Sequence, residues 1–231
     1  MTTAVIPPPK PVATPANGVP SSAPLPTERR SEEQRFVVDG ISYASYVQIS
    51  DALPERGIRV TYDSGRLELM TTSREHELYD RSLSHLLDLL TEELDMDMAY
   101  GGRMTFREET VQKGIEMDNC FWVQHGTRMR LKKTYDPALD PPPDLALEIE
   151  VSRSLLNRPG ILAAMKVPEV WRYDGTTIFV LLLNASGQYE ANTRSKAFPF
   201  LPVQELVRFL HLPGTMSHAQ VARAFRAWVQ Q

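Results

Sequence analysis

The chain has 231 residues, 42% of them hydrophobic and 23% charged, the balance of a globular protein long enough to bury a sizeable core. A formal net charge of −4 gives no global attraction to nucleic acid, so any such contact must come from a local basic patch. The single cysteine, Cys120, excludes an internal disulfide and Cys-rich zinc sites, and no apolar run approaches a membrane span.

Residues 1–33 hold eight of the 18 prolines, separated by Ala, Ser, Thr and Val. Such a segment buries too little apolar area to offset its ordering entropy, so a disordered tail is expected there, with a single domain over 34–231. Pro7, Pro8 and Pro9 interrupt the apolar core that a secretory leader needs, and a cytoplasmic location is expected.

Phe36-Val37-Val38 predicts a short strand, and Tyr43 to Leu53 a short helix. Ile58 to Tyr62 and Arg66 to Met70 flank Asp63-Ser64-Gly65, the signature of a hairpin. Thr72 or Ser73 caps a helix over about 74–95, in which Leu83, Leu87, Leu90 and Leu94 recur at helical spacing. That stripe extends back to Asp80 and His76, while Glu77, Arg81 and Asp88 fall on the solvated side. Further strands are expected near 97–100, 103–108, 119–124 and 144–151, then a helix over about 154–166 with Asn157-Arg158-Pro159 in its first turns. Strands at 168–173 and 176–183 meet at Asp174-Gly175, and a strand near 187–192 precedes helices near 202–211 and 216–229. Strands dominated by hairpins, with a few helices, place the chain in the α/β (α+β) class.

Two positions break the strand pattern. Glu148 and Glu150 interrupt the apolar run Leu145-Ala146-Leu147-Glu148-Ile149-Glu150-Val151. An unpaired buried charge costs about several kcal/mol, so a strand places one there only for a reason. Residues two apart share a face, which aims both acids at one spot. Asp118 sits beside another apolar segment, Cys120-Phe121-Trp122-Val123, and carboxylates on neighbouring strands are what a divalent metal site requires. His76 on the inward stripe approaches these acids or packs as a hydrogen-bonded core residue. Arg128, Arg130, Lys132 and Lys133 form a basic run that grips a phosphate backbone or is simply solvated.

Several segments together resemble the Uma-type (Uma-two) family of restriction endonuclease-like proteins in the PD-(D/E)XK nuclease superfamily. They are Val60-Thr61-Tyr62-Asp63 through Leu67-Glu68-Leu69-Met70, Glu75-His76-Glu77, Gly114-Ile115-Glu116-Met117-Asp118, Pro142-Pro143-Asp144-Leu145-Ala146-Leu147-Glu148, and Val167-Pro168-Glu169-Val170-Trp171-Arg172-Tyr173-Asp174-Gly175. The resemblance covers roughly 36–200. It implies a nuclease-like core, a small mixed sheet with helices on both faces, and a metal-dependent DNA endonuclease that works as a homodimer. Asp118 matches the family's first metal-binding acid and Glu148 its second; Met117 stands where Pro is usual. Glu150 stands where the superfamily pattern has Lys, and Arg158 on the following helix matches a position from which a basic residue stands in.

The resemblance thus implies Mg²⁺, with Mn²⁺ as a substitute, held by Asp118 and Glu148 and a backbone carbonyl near Ile149. Glu150 is then an extra ligand or the general base, and Arg158 stabilises phosphate charge. In simpler readings Asp118 and Glu148 cap or pair, and Glu150 pairs with Arg153 or Arg158. Two other functions stay open: a nuclease-fold module that binds nucleic acid without cleaving it, and a metal-dependent hydrolase of another phosphoester. A narrow closed pocket would favour the latter over an open groove lined by 128–133.

Overall fold

The computed structural model describes residues 33–53 and 57–231. The tail expected over 1–33 lies, apart from Glu33, outside the described residues. The first elements are β1 (Arg35–Val38), α1 (Tyr43–Ala52), β2 (Ile58–Asp63), β3 (Arg66–Thr71) and α2 (Arg74–Glu93). Then come β4 (Ala99–Tyr100), β5 (Thr105–Glu108), β6 (Lys113–Glu116), β7 (Asn119–Trp122), α3 (Gly126–Met129), β8 (Leu145–Ile149) and α4 (Arg158–Ala164). The rest are β9 (Glu169–Tyr173), β10 (Ile178–Leu183), β11 (Tyr189–Asn192), α5 (Leu206–His211) and α6 (His218–Val229).

One sheet has the order β1-β3-β2-β6-β5 and is antiparallel throughout. Its β2–β3 hairpin turns on Ser64 and Gly65, with φ of 50° and 96°, the left-handed pair that a tight hairpin demands. On one face Val60, Tyr62 and Leu67 close on Tyr46 of α1, whose ring stacks on Tyr62 with centroids 4.8 Å apart. The register Arg35↔Met70↔Arg59 and Thr61↔Glu68 puts Arg35, Arg59, Thr61 and Glu68 on the opposite face. That face is polar, yet Arg59, Thr61 and Glu68 are buried.

The other sheet has the order β11-β10-β9-β8-β7-β4, antiparallel except for β8 and β9, which run parallel across the α4 crossover. Side chains alternate along β8. Leu145, Leu147 and Ile149 join Leu83, Leu87, Leu90, Phe209 and Phe225 in the core under α2, α5 and α6. Ala146 faces the other way, against Ile161 and Leu162 of α4 and Ile115 of β6, and Glu148 shares its side.

Helix α2 begins where Ser73 accepts the His76 backbone N–H at 3.1 Å, with Glu75 and Glu77 against the positive end of the helix dipole. Helix α4 begins at Arg158, later than expected. Asn157 caps it by accepting the Gly160 N–H, and 150–157 is a loop. No helix among the described residues is long and apolar enough to cross a membrane.

Candidate active site

The polar face of the five-stranded sheet meets the Glu148 side of the other sheet, and the charged residues of both converge there. Asp118, between β6 and β7, is 3% exposed. Its carboxylate accepts from Arg59 Nε at 3.1 Å, His76 Nε2 at 3.2 Å and the Ile149 backbone N–H at 2.9 Å. Burial opposes its ionisation, but the hydrogen bond and charge of His76, then Arg158 and Arg59, hold it well below the usual carboxylate range. His76 shifts reciprocally: burial lowers its pKa, and Asp118 more than reverses this to leave it raised.

Glu148 is 6% exposed and meets the guanidinium of Arg158, whose Nε and Nη2 lie 2.7 Å and 2.5 Å from Oε2. Arg158 also donates from Nη1 to Thr61 Oγ1 at 2.7 Å and from Nη2 to the Glu116 carbonyl at 3.1 Å. Glu148 Oε1 is buried and accepts no hydrogen bond. Burial raises the Glu148 carboxyl, Arg158 lowers it in part, and the Asp118 charge raises it again, to about 7. Glu150 follows the end of β8; it pairs with Arg172 at 3.1 Å, not with Arg153 or Arg158, and accepts the Ser154 N–H at 3.3 Å.

Asp118, Glu148, Ile149, Glu150 and Arg158 line one cavity of about 30 Å³, room for one water-sized group. His76 reaches this group of residues through Asp118 and is not on the cavity wall. Lys166, at the end of α4 with φ of 60°, is not on the wall either. The basic run is elsewhere: Asp118 precedes the start of β7, whereas 128–133 follow its end. Arg128 pairs with Asp140 at 3.4 Å, Arg130 with Asp97 at 3.4 Å, and Lys132 with Asp140. Lys133 has no ion pair among the described residues. The pocket is small, and no part of its wall comes from 128–133.

The donor chemistry fits a hard divalent cation. Asp118, Glu148 and Glu150 all line one cavity, and Glu148 Oε1 has no hydrogen-bond partner. The geometry is not a finished cage: among the described residues no three His, Cys, Asp or Glu side chains are grouped to hold a metal ion. Two guanidiniums instead balance the two buried acids.

Sequence reasoning missed Arg59, Thr61 and Arg35, and left Glu68 open between lining the cleft and a solvated hairpin position; it is buried. Arg59 is fully buried and bridges Asp118, Glu77 at 3.4 Å and Glu116 at 3.9 Å. Glu68 accepts from Arg35 Nη1 at 3.0 Å and from the Leu155 N–H at 2.7 Å, tying the hairpin to the 150–157 loop. A signal was present, because Arg59 interrupts an apolar strand just as Glu148 does.

No curated relative matches the chain. The model of the Uma2 family, whose description reads "Putative restriction endonuclease", matches residues 46–213. The mixed α/β architecture is consistent with a restriction-endonuclease-like fold. With the matched span containing Arg59, His76, Asp118, Glu148, Glu150 and Arg158, the chain belongs to the Uma2 family.

Proposed function

We propose that the protein is a divalent-metal-dependent endonuclease that hydrolyses phosphodiester bonds of DNA. The observation carrying this reading is the buried pair Asp118 and Glu148 on one cavity wall, with Glu148 Oε1 unpartnered, inside a restriction-endonuclease-like family. Such families generally use divalent metal ions, and Mg²⁺, with Mn²⁺ in its place, suits the oxygen donors. Asp118 and Glu148 would hold the ion, which supplies Lewis-acid polarisation of the phosphate and neutralises transition-state charge.

The chain's own groups do the rest. Ile149 N–H, His76 and Arg59 fix the Asp118 carboxylate in one orientation. Glu150 takes the proton of the attacking water as its oxygen adds to phosphorus, and the bond to the leaving oxygen breaks. Arg158 binds a non-bridging phosphate oxygen, for which a planar guanidinium is well shaped. DNA contacts at Arg128, Arg130, Lys132 and Lys133, and assembly as a homodimer in the cytoplasm, complete the reading. Sedimentation velocity reads the dimer.

Supercoiled plasmid with Mg²⁺ is the test. Wild-type protein nicks it, and Asp118→Ala lowers the rate by more than about 100-fold while weakening Mn²⁺ binding. Equal nicking by the purified variant removes Asp118 from the site. The closed arginine-acid network favours a second reading, a module that binds nucleic acid without cleaving it. That module retains DNA in a mobility-shift assay and leaves plasmid intact with either ion.

A further inference from the structure

Arg158 rests on acceptors of unequal strength. Thr61 Oγ1 and the Glu116 carbonyl are neutral, and among the described residues Glu148 Oε2 is the one carboxylate oxygen it touches. Both Nε and Nη2 converge on that oxygen, while Oε1 of the same carboxylate is buried and idle. The space beside them is small, about 30 Å³. Any cation bound by Glu148 there has a guanidinium against the same carboxylate, and like charges this close in a buried site repel strongly.

The loop before Arg158 allows another arrangement. Glu150 N–H still donates to the Tyr173 carbonyl of β9 at 2.8 Å, but 151–157 lie outside the strand ladders, and what holds them is largely side chains: Glu68 accepts from Leu155 N–H and Ser154 Oγ, Glu150 from Ser154 N–H, and Arg35 donates to the Ser152 carbonyl. Arg158 can therefore change partner without unpairing β8 from β9. A phosphodiester offers the guanidinium a bidentate, charged acceptor in place of neutral ones.

We propose, resting on the nuclease reading above, that Arg158 and the divalent cation compete for Glu148 and that the nucleic-acid phosphate ends the competition by taking the guanidinium. Phosphate and cation then load together. In the free protein Arg158 neutralises Glu148 and keeps cation affinity low, which confines metal loading to the DNA-bound state. Linkage makes the effect reciprocal: the factor by which DNA tightens cation binding equals the factor by which the cation tightens DNA binding.

Isothermal titration of Mn²⁺ into the full chain tests this, alone and with a phosphorothioate duplex that resists cleavage, after subtraction of the duplex's own Mn²⁺ uptake. Wild-type protein is expected to bind Mn²⁺ at least about tenfold more tightly with the duplex present. Arg158→Gln is expected to bind Mn²⁺ more tightly than wild type without duplex, and to gain little when duplex is added. A merely structural role for Arg158 predicts the opposite, a loss of affinity in the variant. Should Arg158→Gln fail to fold, the wild-type pair of titrations decides. Measurable Mn²⁺ affinities indifferent to both duplex and Arg158 overturn the competition alone. Absence of Mn²⁺ binding in both proteins, with and without duplex, overturns the metal-dependent reading itself.

Discussion

Asp80 lies one helical turn beyond His76 on α2, and its Oδ1 is buried without a hydrogen-bond partner. Burial first, and the Asp118 charge second, raise its pKa from the ordinary 3.8 to about 6. The folded state therefore holds a proton that the unfolded chain releases, and the stability contribution falls as pH rises between those two values. Asp80→Asn removes this cost, so it should stabilise the protein by about 1 to 3 kcal/mol at neutral pH and by almost nothing near pH 4. Denaturant melts at the two pH values check it, and an equal gain at both would sink the account. Glu148 was legible in the sequence because a carboxylate inside an apolar strand is costly without a partner. Arg59 carried the same signal in Ile58-Arg59-Val60-Thr61-Tyr62, but a basic residue in a hairpin usually reaches solvent. Nothing local says that both faces of β2 are covered.

The β2–β3 and β9–β10 hairpins, α2 and α6 follow from turn residues and apolar periodicity, both of which act over a few positions. Strand β6 did not: Lys113-Gly114-Ile115-Glu116 shows little strand preference, and its pairing with β2 and β5 makes it a strand. Gly114 is there for packing. A Cβ at that position would stand 2.0 Å from the Tyr46 hydroxyl and 2.3 Å from its ring. Gly114→Ala should therefore cost about 1 to 3 kcal/mol by overpacking, read as a lower denaturation midpoint. A neutral result would mean that α1 is not held against β6. The segment after β7 gives a second prediction. Arg130 and Lys132 already pair with Asp97 and Asp140, so phosphate must displace a carboxylate to engage them. Arg130→Glu with Lys132→Glu should weaken DNA binding, but reduce the slope of log affinity against log salt by less than about 2. An unchanged slope would clear the segment of DNA contact.

Across the whole described body, the two sheets meet through polar groups at the site: Arg59 on Asp118, Arg158 on Thr61, and Glu68 on the Leu155 N–H. Glu68→Ala removes the carboxylate that Arg35 and the 150–157 loop share, and leaves a buried guanidinium short of its partner. A loss of about 3 kcal/mol is expected, with faster amide exchange concentrated in 150–157. Exchange that rises only within β2 and β3 would show that the loop is held by other means. The sequence by itself determined the fold class, the Leu83, Leu87 and Leu90 stripe of α2, the hairpin turns and the anomaly of Glu148 within a strand, because each depends on neighbours a few positions away; Leu94 of the expected stripe is exposed beyond the end of α2. Only the tertiary structure decided which cation neutralises which acid. Arg59 and Asp118 are 59 positions apart, and Arg158 and Thr61 are 97 apart. A buried charge is satisfied by whichever group the packing of sheets and helices brings beside it, and no local pattern encodes that choice.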